Sequence, residues 1–253
     1  MLYNNSMEPK VIFEDEEILV LDKPAGITVN KSETTVGEMT VQEWVEKKLR
    51  VESGKLKIDE ETDFYKRAGI VHRLDKETSG ILLVAKTPDT FENLQKQFKE
   101  RVVKKTYIAL AHGKIDEETG EIRVPIGRLP WNRKRFGVLA GGREAVTKFK
   151  VYPFDELRAK LKVNNEDLTL LEVYPETGRT HQIRVHLKYF GHPIFSDSLY
   201  AGRKTSRNDR KLLNRVFLHA AKISFHHPKT GESVSFESPL PKELQEFLDK
   251  LQS

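Results

Sequence analysis

The segment AGIVHRLDKETSGILLVAKT, residues 68–87, decides the fold. Two apolar runs, GIV and ILLVA, flank the polar loop DKETSG, and this pattern predicts strands on either side of a turn. The loop places Asp75 at a strand–loop junction, where functional groups are common. From these residues alone, the favoured interpretation of Asp75 is a turn residue that bonds nearby backbone.

The rest of the chain combines strand patterns with amphipathic helical patterns. Four stretches have the alternation or short apolar runs of strands: 10–29, 105–111, 145–152 and 168–174. Four others have helical spacing, caps or stop signals: 40–50, 88–102, 180–190 and 241–251. The charged residues 51–66, between the predicted helix 40–50 and the segment 68–87, predict a surface connection. These elements indicate a substantial sheet accompanied by helices.

Composition excludes several classes of protein. The 253 residues contain no cysteine, which rules out disulfides, Cys-ligated zinc, iron–sulfur clusters and thiol catalysis. Lys and Arg number 43 against 38 Asp and Glu, so the net charge is +5, which permits a polyanionic partner. The first residues lack the features of a signal peptide, and no apolar run is long enough to span a bilayer. A cytoplasmic location without membrane association is therefore expected.

The segment 68–87 closely resembles the core of the RluA-type pseudouridine synthases, in which HRLD, two variable residues and TSG surround a nucleophilic aspartate. Further segments resemble other blocks of that family, in family order: EILVLDKPAGITV (17–29), KKTYIALAHG (104–113), TGRTHQIRVHLKYFGHPIFSDSLYAG (177–202) and RVFLHAAKISFHHPKTGE (215–232). The resemblance implies an α+β fold: a large mixed, mostly antiparallel β-sheet flanked by helices and loops, with the active-site cleft across the sheet. It also implies a single catalytic domain over 10–253 after a tail at 1–9, without the S4 RNA-binding domain of many relatives.

The function implied by the resemblance is site-specific isomerisation of uridine to pseudouridine in structured RNA, either ribosomal RNA, transfer RNA or both. The reaction breaks the C1′–N1 bond, rotates the uracil and forms a bond at C5, so it needs neither a redox cofactor nor a metal. The target base must leave its stack before its sugar can be reached. We expect an isomerase that acts as a monomer on RNA, with no cofactor and no metal.

The resemblance carries roles over to particular residues. Asp75 corresponds to the nucleophile and Arg73 to the arginine that helps to hold the flipped-out nucleotide. Tyr107 corresponds to the tyrosine that packs against the target base. Arg184 corresponds to the basic residue that pairs with the aspartate and keeps it ionised. The remaining residues expected to contact substrate are Ile183 as an apolar wall, Arg179 as a rival to Arg184 for the ion pair, and Thr78 and Ser79 in the loop.

Several alternatives remain open on the sequence. A carboxylate attacks the sugar directly or removes a sugar proton to give a glycal, and the residues do not separate these routes. A glycosidase or nucleosidase that uses Asp75 is one competing function, although such enzymes normally need a second carboxylate. A non-catalytic RNA-binding protein of the same fold is another.

Weaker signals have plainer explanations. His181 and His186 are five residues apart, which points them in different directions on a helix or strand, so they do not form a simple metal site. Asp22 also follows an apolar strand, but it lacks the neighbours of Asp75 and predicts a turn residue. The basic runs 131–136 and 202–211 are either solvated loops or phosphate contacts, with aromatic stacking at the first. Ser196 stands where relatives often have glycine, which suggests a local difference in backbone geometry.

Overall fold

The computed structural model describes residues 8–53, 62–152, 161–163 and 166–252. Its α+β architecture, with a large, mostly antiparallel sheet, confirms the predicted fold class. The strands are β1 (Lys10–Glu14), β2 (Ile18–Lys23), β3 (Ser79–Ala85), β4 (Lys104–His112), β5 (Thr119–Arg123), β6 (Ile126–Leu129), β7 (Asn132–Val138), β8 (Val146–Val151), β9 (Lys162–Val163), β10 (Glu166–Pro175), β11 (Leu218–His226) and β12 (Ser233–Glu237). The helices are α1 (Val41–Ser53), α2 (Asp63–Lys66), α3 (Pro88–Lys99), α4 (Gln182–Tyr189), α5 (Arg203–Asp209) and α6 (Lys242–Gln252).

The chain divides into two compact units. The first comprises residues up to 104 together with 222–239, and the second comprises 105–221 together with the residues from 240 onward. Residues 1–7 of the predicted tail and 54–61 of the predicted connection lie outside the described residues. The single catalytic domain expected over 10–253 stays a prediction.

In the first unit, a short antiparallel sheet supports the segment that contains Asp75. Strand β2 pairs with β1 on one side and with β3 on the other, and β12 pairs with residues 222–226 of β11. One face of these strands packs on α3. The buried cluster on that face includes Ile18, Val20, Ile81, Leu83, Phe91, Leu94, Ile223 and Phe225. Strand β3 is buried at every position, which fixes the end of the strand next to the DKETSG loop.

In the second unit, β10 is flanked by β4 and β8, and β5 pairs with β8. Helix α4 lies against the face of β8 that includes Thr147, because Gln182 donates to the Thr147 hydroxyl (3.0 Å) and His186 lies 2.9 Å from it. Strands β6 and β7 form a separate antiparallel hairpin.

Local chemistry explains where the predicted helices begin. At α1 the backbone N–H of Thr40 donates to the Glu43 carboxylate (2.9 Å) and the Glu43 N–H donates to the Thr40 hydroxyl (3.2 Å). This pair is the predicted capping box. At α3 the Thr87 hydroxyl accepts the N–H of Thr90, and Pro88 occupies the first turn.

Two predicted helices are shorter than expected. Helix α3 ends at Lys99 rather than near 102, because Arg101 adopts a left-handed conformation (φ 62°) and the Val102 N–H turns back to the Gln97 carbonyl (2.9 Å). Helix α4 starts at Gln182 because His181 is left-handed (φ 56°). Among the residues that the structure describes, no helix has both the length and the apolar character needed to cross a membrane.

Candidate active site

Asp75 lies on a tight turn just before β3. The N–H of Thr78 donates to the Asp75 carbonyl (3.1 Å), which closes the turn. Asp75 is half-buried and Arg73 is exposed, so both are at the surface of the first unit. Thr78 and Ser79 are only 2% and 1% exposed, so they support the turn from inside. The predicted contact of Thr78 and Ser79 with substrate stays a prediction.

Lys23 stabilises this turn through a hydrogen bond to the Lys76 carbonyl. This residue was not identified from the sequence. Its side chain is fully buried, and its ammonium donates to the carbonyls of Pro24 (2.9 Å), Ile27 (2.9 Å) and Lys76 (3.2 Å). The N–H of Gly26, whose φ is 91°, also donates to the Lys76 carbonyl (2.8 Å). A buried ammonium is tolerated only where such acceptors surround it. Lys23 therefore fixes the backbone beside Asp75, and the DKPAG turn after β2 was its only sequence signal.

Two other polar residues of the first unit have structural partners. The N–H of Leu83 donates to His72 Nε2 (2.9 Å), and the His72 ring lies 5.1 Å from that of Phe98. Asp22 accepts a hydrogen bond from the Ser238 hydroxyl (3.0 Å). The Asp22 contact agrees with the structural role that the sequence predicts for this residue.

Tyr107 lies on the face of the second unit that α4 covers. It pairs with Val173, which pairs with Phe149, and side chains directly opposite in neighbouring strands share a face. Thr147 is two residues from Phe149 and therefore lies on the same face, where it contacts α4. Tyr107 is 9% exposed, while Ala109 on the same face is fully buried.

A second titratable group lies on the Tyr107 face. Lys105 is two residues before Tyr107 on β4, so its side chain leaves the same side of the strand. Burial lowers the pKa of Lys105 to about 8. Lys105 was not singled out from the sequence, because a lysine at the start of a strand is common on protein surfaces.

Arg184 is held rigidly within the second unit. It is 6% exposed, and its Nε and Nη2 donate to Asp197 Oδ2 (2.7 Å) and Oδ1 (2.8 Å). Its guanidinium carbon lies 5.1 Å from the centre of the Tyr200 ring. Asp197 Oδ1 also accepts the N–H groups of Leu199 and Tyr200. Asp197 was missed from the sequence, although a buried arginine calls for a carboxylate partner.

The segment before Asp197 has the unusual backbone suggested by the sequence. Ser196 has a φ of 62°, in the left-handed region that glycine adopts most easily. Its N–H donates to Asp209 (3.0 Å) and its hydroxyl donates to the Leu213 carbonyl (2.6 Å), which stabilise this conformation.

The other predicted residues of this region have separate environments. Ile183 is 6% exposed on α4. Arg179 is half-buried, and its Nε donates to the Glu144 carbonyl (3.0 Å). Asp75 and Arg73 belong to the first unit, whereas Tyr107, Arg179, Ile183 and Arg184 belong to the second. The Asp75–Arg184 ion pair stays a prediction.

The two histidines near Arg184 bond to different groups. His181 Nδ1 lies 2.8 Å from the Tyr200 hydroxyl, and that hydroxyl accepts the N–H of Phe136 (3.0 Å). His186 is fully buried between the Thr147 hydroxyl and the Val124 carbonyl (3.2 Å). Burial lowers the pKa of His186, so its ring is neutral at physiological pH.

Known proteins resemble this chain in sequence and in fold. The sequence model of the RNA pseudouridylate synthase family matches residues 17–189. The uncharacterized RNA pseudouridine synthase YlyB of Bacillus subtilis is 38% identical over 245 residues, which cover 97% of this chain and 73% of the relative. The ribosomal large subunit pseudouridine synthase D of Neisseria meningitidis serogroup B is 38% identical over 248 residues, covering 95% of this chain but 60% of the relative.

A solved structure extends the match to the fold. The human RNA pseudouridylate synthase domain containing 1 superimposes with a TM-score of 0.67 at 26% identity, covering 95% of this chain and 87% of the human one. The sequence match and the structural match each cover nearly the whole length of the chain. This chain belongs to the RNA pseudouridylate synthase family.

Proposed function

We propose that this chain isomerises specific uridines to pseudouridine in structured RNA, with Asp75 as the nucleophile. The observation that carries the proposal is the presentation of Asp75. It is a half-buried carboxylate on a turn whose backbone is fixed by Lys23 and Gly26. A fixed carboxylate at a surface meets the need for precise placement of a reacting group.

The chemistry proceeds without a net gain or loss of atoms. The C1′–N1 bond of the uridine breaks, the free uracil turns, and its C5 bonds to C1′ as the C5 proton is lost and N1 is protonated. Asp75 either bonds to C1′ and leaves when C5 attacks that carbon, or removes a proton from C2′ and returns it as the C5–C1′ bond forms. Both routes need an ionised carboxylate.

The other roles follow from residue type and family pattern. Tyr107 offers an aromatic face to the uracil, and Ile183 forms an apolar wall beside it. Arg184 keeps Asp75 ionised by pairing with it, with Arg179 as the rival, and Arg73 occupies the space left by the flipped nucleotide. Thr78 and Ser79 complete the substrate-binding set.

The test is to map pseudouridine in RNA treated with the wild-type chain, with Asp75→Ala and with Asp75→Asn. We expect both variants to lose modification while they retain RNA binding, because the amide keeps the shape of the side chain but is not a nucleophile. Asp22→Asn is the matched control, since Asp22 is an aspartate of the same unit, near the end of β2, whose carboxylate accepts a hydrogen bond from Ser238. Equal modification by wild type and Asp75→Ala contradicts the proposal, and release of free uracil indicates a glycosidase instead.

The RNA substrate is proposed from the relatives. The Neisseria relative is named for the large ribosomal subunit, so large-subunit ribosomal RNA is the first transcript to test. Transfer RNA transcripts form the second arm of the same experiment. The monomeric state and the cytoplasmic location stay predictions, the first of which sedimentation of the purified chain measures.

A further inference from the structure

The positive charge of the chain is concentrated in two segments of the second unit. Residues 126–143 contain five Arg or Lys and no Asp or Glu, and residues 203–211 contain five with a single acid, Asp209. The two segments together have a net charge of +9, whereas the whole chain has +5, so the remaining residues sum to −4. Both segments therefore stand out against a weakly acidic background.

Five cations of these segments are exposed to solvent. The exposed ones include Arg133 and Lys134 on β7 and Arg203, Lys204 and Arg207 on α5. Within the described parts of the chain, none of these five has a carboxylate within ion-pair distance. Other lysines of the same unit do pair with acids: Lys114 with Asp116, Lys148 with Glu176 and Lys162 with Asp167.

The one acid of the α5 segment, Asp209, is buried away from the exposed cations of the helix. Asp209 is 3% exposed, and its Oδ2 accepts the N–H of Ser196 (3.0 Å) and lies 2.9 Å from His112 Nε2. The carboxylate thus faces the interior. The α5 surface consequently presents only positive charge.

Hairpin β6–β7 and helix α5 are joined at Tyr200. The Phe136 N–H of β7 donates to the Tyr200 hydroxyl (3.0 Å), and Tyr200 lies three residues before Arg203, the first residue of α5. The ring of Tyr200 also contacts the guanidinium of Arg184 at 5.1 Å. The two basic segments therefore border the part of α4 that holds Arg184.

An exposed aromatic side chain completes this surface. Trp131 is 76% exposed at the tip of the hairpin, between Leu129 and Asn132, which pair with each other. A large exposed apolar ring next to a basic strand is unfavourable in water but suits a stacked nucleic-acid base.

We propose that hairpin β6–β7 and helix α5 form one RNA-binding surface, whose cations contact backbone phosphates and whose Trp131 stacks on an unpaired base. The inference rests on the proposed function, which supplies RNA as the partner. Phosphate contacts are independent of sequence, so this surface positions the RNA, and Asp75 acts on the uridine.

The test measures binding of a short RNA stem-loop, with uridines in its loop, at several salt concentrations. One variant carries Arg133→Gln, Lys134→Gln and Arg135→Gln, and a second carries Arg203→Gln, Lys204→Gln and Arg207→Gln. Each lost phosphate contact reduces the slope of log K against log salt by about 0.7, so each variant should lose about 2 from the slope. The matched control removes three paired charges of the same unit, through the substitutions Lys114→Gln, Lys148→Gln and Lys162→Gln.

Trp131→Ala adds an independent measurement. It should weaken RNA binding by about tenfold, with Trp131→Phe close to wild type, since stacking needs only an aromatic face. The two triple variants are made as separate proteins, and thermal unfolding of each shows whether it is folded. If one does not fold, the other still tests the surface.

Binding is measured without turnover, so its outcome is separate from that of the Asp75 experiment. Reduced slopes in the surface variants with an unchanged slope in the control support the proposal, even if no pseudouridine forms. Equal slopes in all proteins overturn it. Binding to anionic phospholipid vesicles is measured for the same proteins. If the surface variants bind RNA as well as wild type does but no longer bind vesicles that wild type binds, the proposal is overturned in favour of a membrane partner.

Discussion

At the scale of single residues, Asp197 has the clearest energetic role. Arg184 brings a positive charge into the interior of the second unit, and both oxygens of Asp197 bond to it. Removing one member of a buried ion pair leaves the other charge without compensation, which costs far more than losing a surface pair. The side chain of Asp197 is fully buried, so water does not replace it.

Asp197→Ala should therefore lower the free energy of unfolding by about 3–5 kcal/mol. Asp167→Ala is the control, because the Asp167–Lys162 pair is exposed and such pairs contribute about 0–1 kcal/mol. Urea unfolding followed by circular dichroism measures both. A similar loss in the two variants would show that Arg184 does not depend on Asp197.

His186 should make the second unit sensitive to acid. Its pKa is lowered in the folded protein because burial disfavours the imidazolium, while the unfolded chain has the ordinary value of about 6.5. The folded state then binds fewer protons than the unfolded state, so stability falls as pH drops through about 6.5 and levels off below the folded pKa.

The variant His186→Gln should flatten this pH dependence, and His226→Gln should not, since the His226 side chain is exposed. Thermal unfolding at a series of pH values from neutral to acidic gives the comparison. A pH profile for His186→Gln that matches wild type contradicts this assignment.

Some residues of the site were predictable from sequence and others were not. The motif around Asp75 identified the family and the enzyme class, an RNA pseudouridine synthase, and both are confirmed. Lys23 and Asp197 escaped notice because each acts through partners brought close by folding: Lys23 through the carbonyl of Lys76, and Asp197 through Arg184. The burial of a charged residue can be predicted from sequence only when the group that pairs with it is known.

At the scale of elements, predictability depended on whether the stabilising contacts were local. Helices α1 and α3 were predicted because Thr40 and Thr87 cap them from within a few residues. Hairpin β6–β7 and helix α5 were not predicted, because their many Arg and Lys residues interrupt the hydrophobic periodicity from which strands and helices are predicted. The hairpin packs instead on a small buried cluster around Val185 and Tyr200, which is distant in sequence.

The variant Tyr200→Phe should loosen the hairpin. It removes the acceptor of the Phe136 N–H and the partner of His181. Because both bonds are partly buried, their loss should cost about 1 kcal/mol. We expect faster hydrogen exchange across β7 and a lower melting temperature. Tyr189→Phe is the matched control, because Tyr189 is 59% exposed. Unchanged exchange in β7 would show that other contacts hold the hairpin.

At the scale of the whole molecule, each of the two units is built from two separate segments of the chain. Residues 222–239 return to the first unit, where Ile223 and Phe225 join its core, and the final residues return to the second. Helix α6 buries Leu244, Phe247 and Leu248 there, with the Phe247 ring 4.9 Å from that of Phe195.

Two truncations should separate the contributions of these returning segments. A chain that stops after Pro239 loses α6, whose three buried side chains contribute about 1.5–3 kcal/mol each, so the second unit should lose protection of β4 and β10 against hydrogen exchange. Strands β2 and β3 should stay protected. A chain that stops after Ala221 should lose protection in both units. Full protection of β4 in the shorter chains would contradict this division of the core.

The return of residues 222–239 also bears on synthesis in the cell. Strand β3, buried along its whole length in the finished protein, leaves the ribosome long before the last strands of its sheet. At about 5–20 residues per second, the 117 residues from 105 to 221 take roughly 6–23 s to make. During that interval the apolar strand is open to wrong pairing, so nascent chains of this protein should depend on chaperones that bind extended apolar segments.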